Sequence, residues 1–361
     1  MKQRLVLLAN NVDEIGGAQR VVHALASGFA DRGHDVTVIG IEPREPRSDF
    51  SAANYRVERL LEAAYDKEEG PELQAQRFAA QAKLQSILDS GPQGFIVTAQ
   101  VWAMEHIARC NIDGWRTIGQ YHSSFQAASF GPDLQRILDA YSEADIFLAL
   151  TQADARLFTA AGLSNASAMA NPLPRWPEGM ADSHSKTITY LGRFSAEKAP
   201  MTLIQAWRIL TEQGELPEWE LQFVGSGPHE GQIRDAAELL PRVQVCEQVA
   251  DPYAVLAATG ILAVPSLVEG LPLVIMEALA CGVPVVASDC SAGVRELLAE
   301  ESCGVLVNRG DSADLARGLL ALGKDSDLRT AMASRGPTHM EGYRLERILD
   351  LWEQVFTDVL R

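Results

Sequence analysis

The run PSLVEGLPLVIMEALACGVPVVASD, residues 265–289, leaves few folds open to this chain. An apolar strand, Ile261–Val264, leads into it, and the loop that follows carries Glu269 and Gly270. A short helix is predicted over about 273–281, with Pro272 at its first position, where the missing N–H costs nothing and φ is already helical. Gly282 closes that helix and a strand over 284–287 begins. The unit reads strand–helix–strand with two carboxylates at its mouth. Glu269 is on the loop and Glu277 about one turn into the helix.

A helix N-terminus offers unpaired N–H groups and about half a positive charge, which suits a phosphate. Loop amides over 270–273 would point the same way. Sugar hydroxyls are well matched by a carboxylate acceptor. An acid on each side of an anion-binding helix end could therefore grip a sugar, a diphosphate and a ribose in turn. The plainer alternative makes Glu277 a solvated helix residue and Glu269 a loop charge. Against it, Leu273, Val274, Ile275, Met276, Ala278 and Leu279 leave the helix almost wholly apolar, so a glutamate there needs a reason.

At 361 residues the chain exceeds one ordinary core, and two domains are expected. The early apolar run is too short for a signal peptide, and no stretch approaches the ~18 residues of a membrane span. Five scattered cysteines without a Cys-x-x-Cys pair point to free thiols in a reducing cytosol. The formal net charge of −17, weighted to the second half, disfavours nonspecific nucleic-acid binding.

Taken in order, Arg4–Ala9 reads as a buried strand. A glycine turn at Gly16–Gly17 opens a helix ending at Gly33, and 35–39 is the next strand. These are the first steps of a parallel sheet. Gly16 and Gly17 let a ligand approach the backbone, or simply make a tight turn. The polar stretch 44–72 reads as an irregular surface excursion. A helix over 71–90, strands at Phe95–Thr98, 116–119 and 145–150, and helices near 102–109 and 134–141 follow. His122 stands just past a strand end, where open α/β sheets bind ligands, though a packing role is equally open. Three prolines within 172–177 and a polar run to Ser185 make the best linker.

The pattern then restarts. Thr187–Leu191 precedes Gly192–Arg193–Phe194–Ser195–Ala196–Glu197–Lys198 and a helix over 201–210. A strand over 221–224 runs into Gly225–Ser226–Gly227–Pro228. Val243–Cys246, Ile261–Val264, 284–287 and 305–307 are further strands, and the last helices lie near 313–322 and 345–360.

Two motifs invite other readings. Gly225-x-Gly227-x-x-Glu230, with Glu247 about 20 residues on, resembles a dinucleotide fingerprint. Its third glycine is replaced by a charge and it follows the second strand of its half, not the first, so a dehydrogenase is disfavoured. Asp325-Ser326-Asp327 looks like an acidic metal pair, but between two helices it reads as a helix cap.

Gly16–Gly17, His122, Gly192–Arg193–Phe194 with Glu197–Lys198, Gly225–Ser226–Gly227–Pro228 and Glu269-x7-Glu277 occur together in this order. With them the chain resembles the retaining glycosyltransferases of the GT4-type family over nearly its whole length. The resemblance implies an α/β GT-B fold, two Rossmann-like domains with parallel sheets facing across a cleft. Residues 1–175 would bind the acceptor, with the helix 343–361 packing back on them, and residues 186–342 would bind the nucleotide sugar. It implies that Arg193 and Lys198 hold the diphosphate, Glu277 the ribose and Glu269 the donor-sugar hydroxyls. Gly225, Gly227, Val249, Gly270, Leu271 and Leu273 would line the donor site. His122 would lie against the reacting sugar, and Gly16 and Gly17 would let the first loop approach the diphosphate and acceptor.

The expected reaction moves a hexose or N-acetylhexosamine from a nucleotide diphosphate, UDP for preference, to a glycan, lipid-linked or polyol-phosphate acceptor in surface-polysaccharide assembly. No metal or cofactor beyond the co-substrate is expected. The expected setting is cytoplasmic, with peripheral contact at the inner membrane face. An epimerase or phosphorylase of the same fold, and a non-catalytic nucleotide-sugar sensor, are the alternatives.

Overall fold

The structure is a computed structural model that describes residues 2–14, 16–44, 50, 53–66, 68, 70–298 and 302–361. The chain divides into two compact units, Met1–Pro174 with Tyr343–Arg361, and Arg175–Gly342. Each is built on its own parallel sheet.

In the first unit the strands are β1 (Arg4–Ala9), β2 (Asp35–Gly40), β3 (Arg56–Arg59), β4 (Phe95–Thr98), β5 (Arg116–Gln120), β6 (Ile146–Ala149) and β7 (Ala166–Ala168). Its helices are α1 (Gly17–Asp31), α2 (Pro71–Asp89), α3 (Val101–Ile107), α4 (Phe125–Ser129), α5 (Asp133–Tyr141) and α6 (Gln152–Ala160). Among the described residues the sheet order is β3-β2-β1-β4-β5-β6-β7. The order reverses between β1 and β4, which is the switch point of a doubly wound sheet.

β3 corrects one expectation. Arg-Val-Glu-Arg carries no apolar alternation, so the sequence shows only a polar excursion. Register holds it as an edge strand, with Thr37 beside Arg56 and Gly40 beside Arg59. Charged side chains are tolerated at a sheet edge, where they discourage further pairing. Arg59 also closes on the fully buried Asp13, with Nε 3.1 Å and 3.2 Å from its two oxygens.

The second unit contains β8 (Thr187–Leu191), α7 (Pro200–Glu212), β9 (Glu220–Val224), α8 (Glu230–Glu238), β10 (Val243–Cys246), α9 (Pro252–Leu256) and β11 (Ile261–Val264). It continues through α10 (Leu273–Ala280), β12 (Val285–Ser288), α11 (Ala292–Leu297), β13 (Gly304–Val307), α12 (Ser312–Lys324) and α13 (Ser326–Met340). Its sheet order is β10-β9-β8-β11-β12-β13, with the reversal between β8 and β11. β11 and the first strand residues of β12 are apolar runs buried throughout, as a strand covered on both faces requires.

α14 (Leu345–Val359) belongs to the first unit. Phe356 meets Phe95 of β4 at 4.6 Å between ring centroids and Phe29 of α1 at 5.4 Å. Trp352 and Phe356 are buried, each worth roughly 1.5–3 kcal/mol. Arg32 reaches Asp350 at 2.8 Å beside them.

α13 was not among the helices expected from the sequence. The helix continues through Pro337. At Gly336 a side chain would meet the Leu279 carbonyl at 2.5 Å, so the missing Cβ permits close packing on α10. Asp325 caps α13 by accepting from the Leu328 amide at 2.8 Å, the capping role read from the sequence.

Candidate functional site

Neighbours β8 and β11 diverge at the switch point of the second unit, and the loops leaving their carboxyl ends carry Lys198 and Glu269. Lys198 Nζ donates to both oxygens of Glu269, each at 2.8 Å. The Glu269 side chain is 6 % exposed and that of Lys198 33 %. A carboxylate this deep needs such a cation.

Backbone bonds fix the two loops against each other. The amides of Leu267 and Val268 donate to the Glu197 carbonyl at 2.7 Å and 3.4 Å. Ser195 Oγ donates to Glu197 Oε1 at 2.6 Å. Burial raises the Glu197 carboxyl, but the Ser195 bond together with the charges of Lys198 and Arg193 leaves it below its ordinary value. Arg193 itself is exposed, within electrostatic reach of that carboxylate.

The glycine motif after β9 docks on the same loop. At Gly225 a Cβ would lie 1.9 Å from the Gly192 carbonyl, and at Gly227 2.6 Å from that of Phe194. Both glycines sit at positive φ, 157° and 150°. The amides of Phe194 and His229 then bond across, to Ser226 O at 2.8 Å and Phe194 O at 2.9 Å. Ser226 Oγ to Gln248 Oε1 at 2.8 Å ties in the loop after β10, where Val249 is half-buried. The dinucleotide-like spacing is thus used to pack loop on loop. Its third position, Glu230, pairs with Arg234 along α8.

Pro272 is the N-cap of α10, with ψ 120°, and Leu273 is the first helical residue, so the proline stands one position earlier than predicted. Among the described residues no side chain caps this end. Gly282 ends the turn beyond α10 at φ +73°, as the sequence indicated. Glu277 is 1 % exposed, which overturns the solvated-helix alternative. Glu277 stands about one turn into α10, behind the helix start.

Gly270, Leu271 and Leu273 are buried between these features. Ser291 supports them by donating from Oγ to the Gly270 carbonyl at 3.1 Å while accepting from the Val294 amide at 3.2 Å. The sequence reading missed Ser291 and Ser195. Ser291 could have been found as the capping serine of a strand-end helix.

Gly16, Gly17 and His122 lie in the first unit. Gly16 is the extended N-cap of α1, and Gly17 its first residue. His122 follows β5. Among the described residues, neither of its buried ring nitrogens has a hydrogen-bond partner, nor has Asn171 Oδ1, although an edge of the histidine reaches solvent. Burial pushes the imidazole down to about 4, and the nearby Asn171 only partly offsets it.

His122 therefore stays neutral at pH 7 when folded, while an unfolded histidine titrates near 6.5. Its contribution to stability is complete above that value and is lost as pH falls toward 4. Between pH 7.5 and 4.5 the loss is on the order of 2 kcal/mol. Urea unfolding across this range should show a shallower pH dependence in His122→Gln. Identical slopes in both proteins would exclude a buried neutral His122.

Two family models match this chain. One, described as Glycosyltransferase Family 4, matches residues 15–169, and the other, Glycosyl transferases group 1, matches residues 185–325. The chain belongs to the GT4-type glycosyltransferases. An uncharacterized glycosyltransferase of Haemophilus influenzae is 27 % identical over 96 % of this chain and 97 % of its own. The amylovoran biosynthesis glycosyltransferase AmsD of Erwinia amylovora is 23 % identical over 98 % of this chain and 99 % of its own.

Among solved structures, Anabaena HepE in complex with UDP and glucose superposes with a TM-score of 0.80 at 19 % identity. That match covers 98 % of this chain and 99 % of HepE, and with it the fold of this glycosyltransferase is GT-B. Among the described residues, no helix is long and apolar enough to cross a membrane.

Proposed function

We propose that this glycosyltransferase is a retaining, metal-independent enzyme that takes a hexose or N-acetylhexosamine from a UDP-sugar in polysaccharide assembly. The observation that carries the reading is the two-pronged Lys198–Glu269 pair at the β8/β11 switch point, beside the uncapped start of α10. HepE, whose structures hold UDP and UDP-glucose, supports the choice of donor. AmsD, named for amylovoran biosynthesis, supports the choice of pathway class.

In this reading the diphosphate lies against the 270–273 amides, with Arg193 alongside. An ammonium has three donors, and Glu269 takes two of those on Lys198, leaving one for a phosphate oxygen. Glu269 then accepts from donor-sugar hydroxyls. Glu277 accepts from the ribose, with Val249, Gly225 and Gly227 on the surrounding loops. Gly16, Gly17 and neutral His122 act from the first unit, the imidazole toward the reacting sugar.

As the bond from the anomeric carbon to the phosphate oxygen breaks, negative charge builds on the diphosphate. Fixed cations and helix amides stabilise that charge without reorganising. The sugar passes through an oxocarbenium-like state. The acceptor oxygen attacks from the face the diphosphate leaves, and its proton passes to the departing phosphate oxygen. The reaction needs no cofactor in this account. The free thiols support a cytoplasmic setting, and the acceptor is a glycan or a lipid-linked or polyol-phosphate carrier at the membrane face.

The test is to follow UDP release from UDP-glucose, UDP-galactose and UDP-N-acetylglucosamine in EDTA, and to read the anomeric configuration of the product by proton NMR. An α-linked product from an α-donor, formed equally well with EDTA, is expected. Inversion at the anomeric carbon, or loss of turnover restored by a divalent ion, would refute the corresponding part.

A further inference from the structure

His122 and Asn171 stand at one edge of the first sheet. β5, β6 and β7 are neighbours and run parallel, so their carboxyl ends lie together. His122 is two residues past β5, and Asn171 three residues past β7. Gln120 ties the two segments across β6, its Nε2 donating to the Met169 carbonyl at 3.4 Å. On the other side of Asn171, the Leu173 amide donates to the Tyr343 carbonyl at 2.7 Å. Pro172 adds a local constraint, because the residue before a proline is pushed to extended backbone. Asn171 is thus held in place and 5 % exposed.

Its acceptor is nevertheless unused. Among the described residues, Asn171 Oδ1 and both His122 ring nitrogens are buried without a hydrogen-bond partner. Buried polar atoms in that state are uncommon, and each calls for a partner. Asn171 is close enough to favour a proton on the imidazole, against the larger opposing effect of burial. The ring torsion of a histidine is broad, so a small turn closes the bond.

We propose that Asn171 is a positioning residue that sets the tautomer of His122. The inference rests on the transferase reading above and deepens it. A neutral imidazole has one N–H and one lone pair. With Oδ1 accepting that N–H, the other nitrogen presents its lone pair and can only accept. Its partner in the complex is then a sugar hydroxyl, since an ionised phosphate or a ring oxygen has no proton to give. An amide does this without adding charge, whereas a carboxylate at 171 would favour the imidazolium. Asn171 thereby keeps His122 an acceptor for a hydroxyl and excludes it as an acid toward the leaving phosphate.

The test is ¹H–¹⁵N NMR of the full chain at pH 8 with ring-labelled histidine, the His122 signals being picked out of seven histidines by their loss in His122→Gln. One tautomer is expected, with one nitrogen in the N–H range and the other in the lone-pair range. Asn171→Leu should mix the two tautomers and lower kcat for UDP-glucose about 2- to 10-fold, the worth of one neutral hydrogen bond, with KM changing less. Asn171→Asp should keep the tautomer and raise the His122 pKa by about 1–3 pH units, and it carries the test alone if the leucine variant does not fold. Mixed tautomers in the unsubstituted protein, unchanged ring signals in Asn171→Leu, or a reversed tautomer or unmoved pKa in Asn171→Asp overturns the role of Asn171. Added UDP-glucose separates this from the donor reading. A held tautomer whose lone-pair nitrogen does not respond to UDP-glucose removes His122 from the sugar, whereas a ring that responds but has mixed tautomers sinks only Asn171.

Discussion

Lys198→Ala is expected to lower turnover of a UDP-sugar by about 10²–10³-fold, the usual cost of removing one donor aimed at developing charge. The loss has two sources. The leaving diphosphate loses a cation, and Glu269, 6 % exposed, loses the ammonium that held both its oxygens at 2.8 Å. A buried acceptor stripped of its partner costs on the order of 1–3 kcal/mol, so thermal unfolding should move down as well.

The double variant Lys198→Ala/Glu269→Gln separates these effects. It removes the buried charge, so part of the stability returns while turnover stays low. Arginine at 198 should rescue little, because a planar fork does not reproduce a compact ammonium on this carboxylate. Near-normal turnover in Lys198→Ala, measured by UDP release, would remove Lys198 from the chemistry.

Glu277→Ala is expected to weaken UDP by roughly 10- to 10²-fold in calorimetric titration, corresponding to one or two charge-assisted hydrogen bonds of about 1.5–3 kcal/mol in total. Glu277 is 1 % exposed in an otherwise apolar helix, and folding gains little by placing a carboxylate there. Effects on kcat should be smaller than on affinity, since ribose contacts are made equally before and during transfer. An unchanged dissociation constant would return Glu277 to a packing role.

Much of this was legible because apolar runs end in recognisable turns. Ile261–Val264, the loop with Glu269, and a helix stopped by Gly282 each carry a local signal, and the structure keeps all three. The pairing of Lys198 with Glu269 carries none. The residues lie 71 positions apart, and only the order that sets β8 beside β11 brings them together. β3 was hidden for a different reason. Its two arginines resemble loop residues, and register to β2 and the buried Asp13 decide its conformation. α13 runs through an internal proline, Pro337, and Gly336 beside it packs closely on α10, features that local sequence does not signal as helix.

The position of the diphosphate decides the roles of Lys198, Glu269 and Glu277, and a crystal structure of the protein with UDP measures it. The prediction is phosphate oxygens within about 3 Å of Lys198 Nζ and of the amides that open α10, with the ribose hydroxyls on Glu277. A nucleotide bound away from the β8/β11 switch point, with Lys198 and Glu269 still joined and untouched, would contradict it.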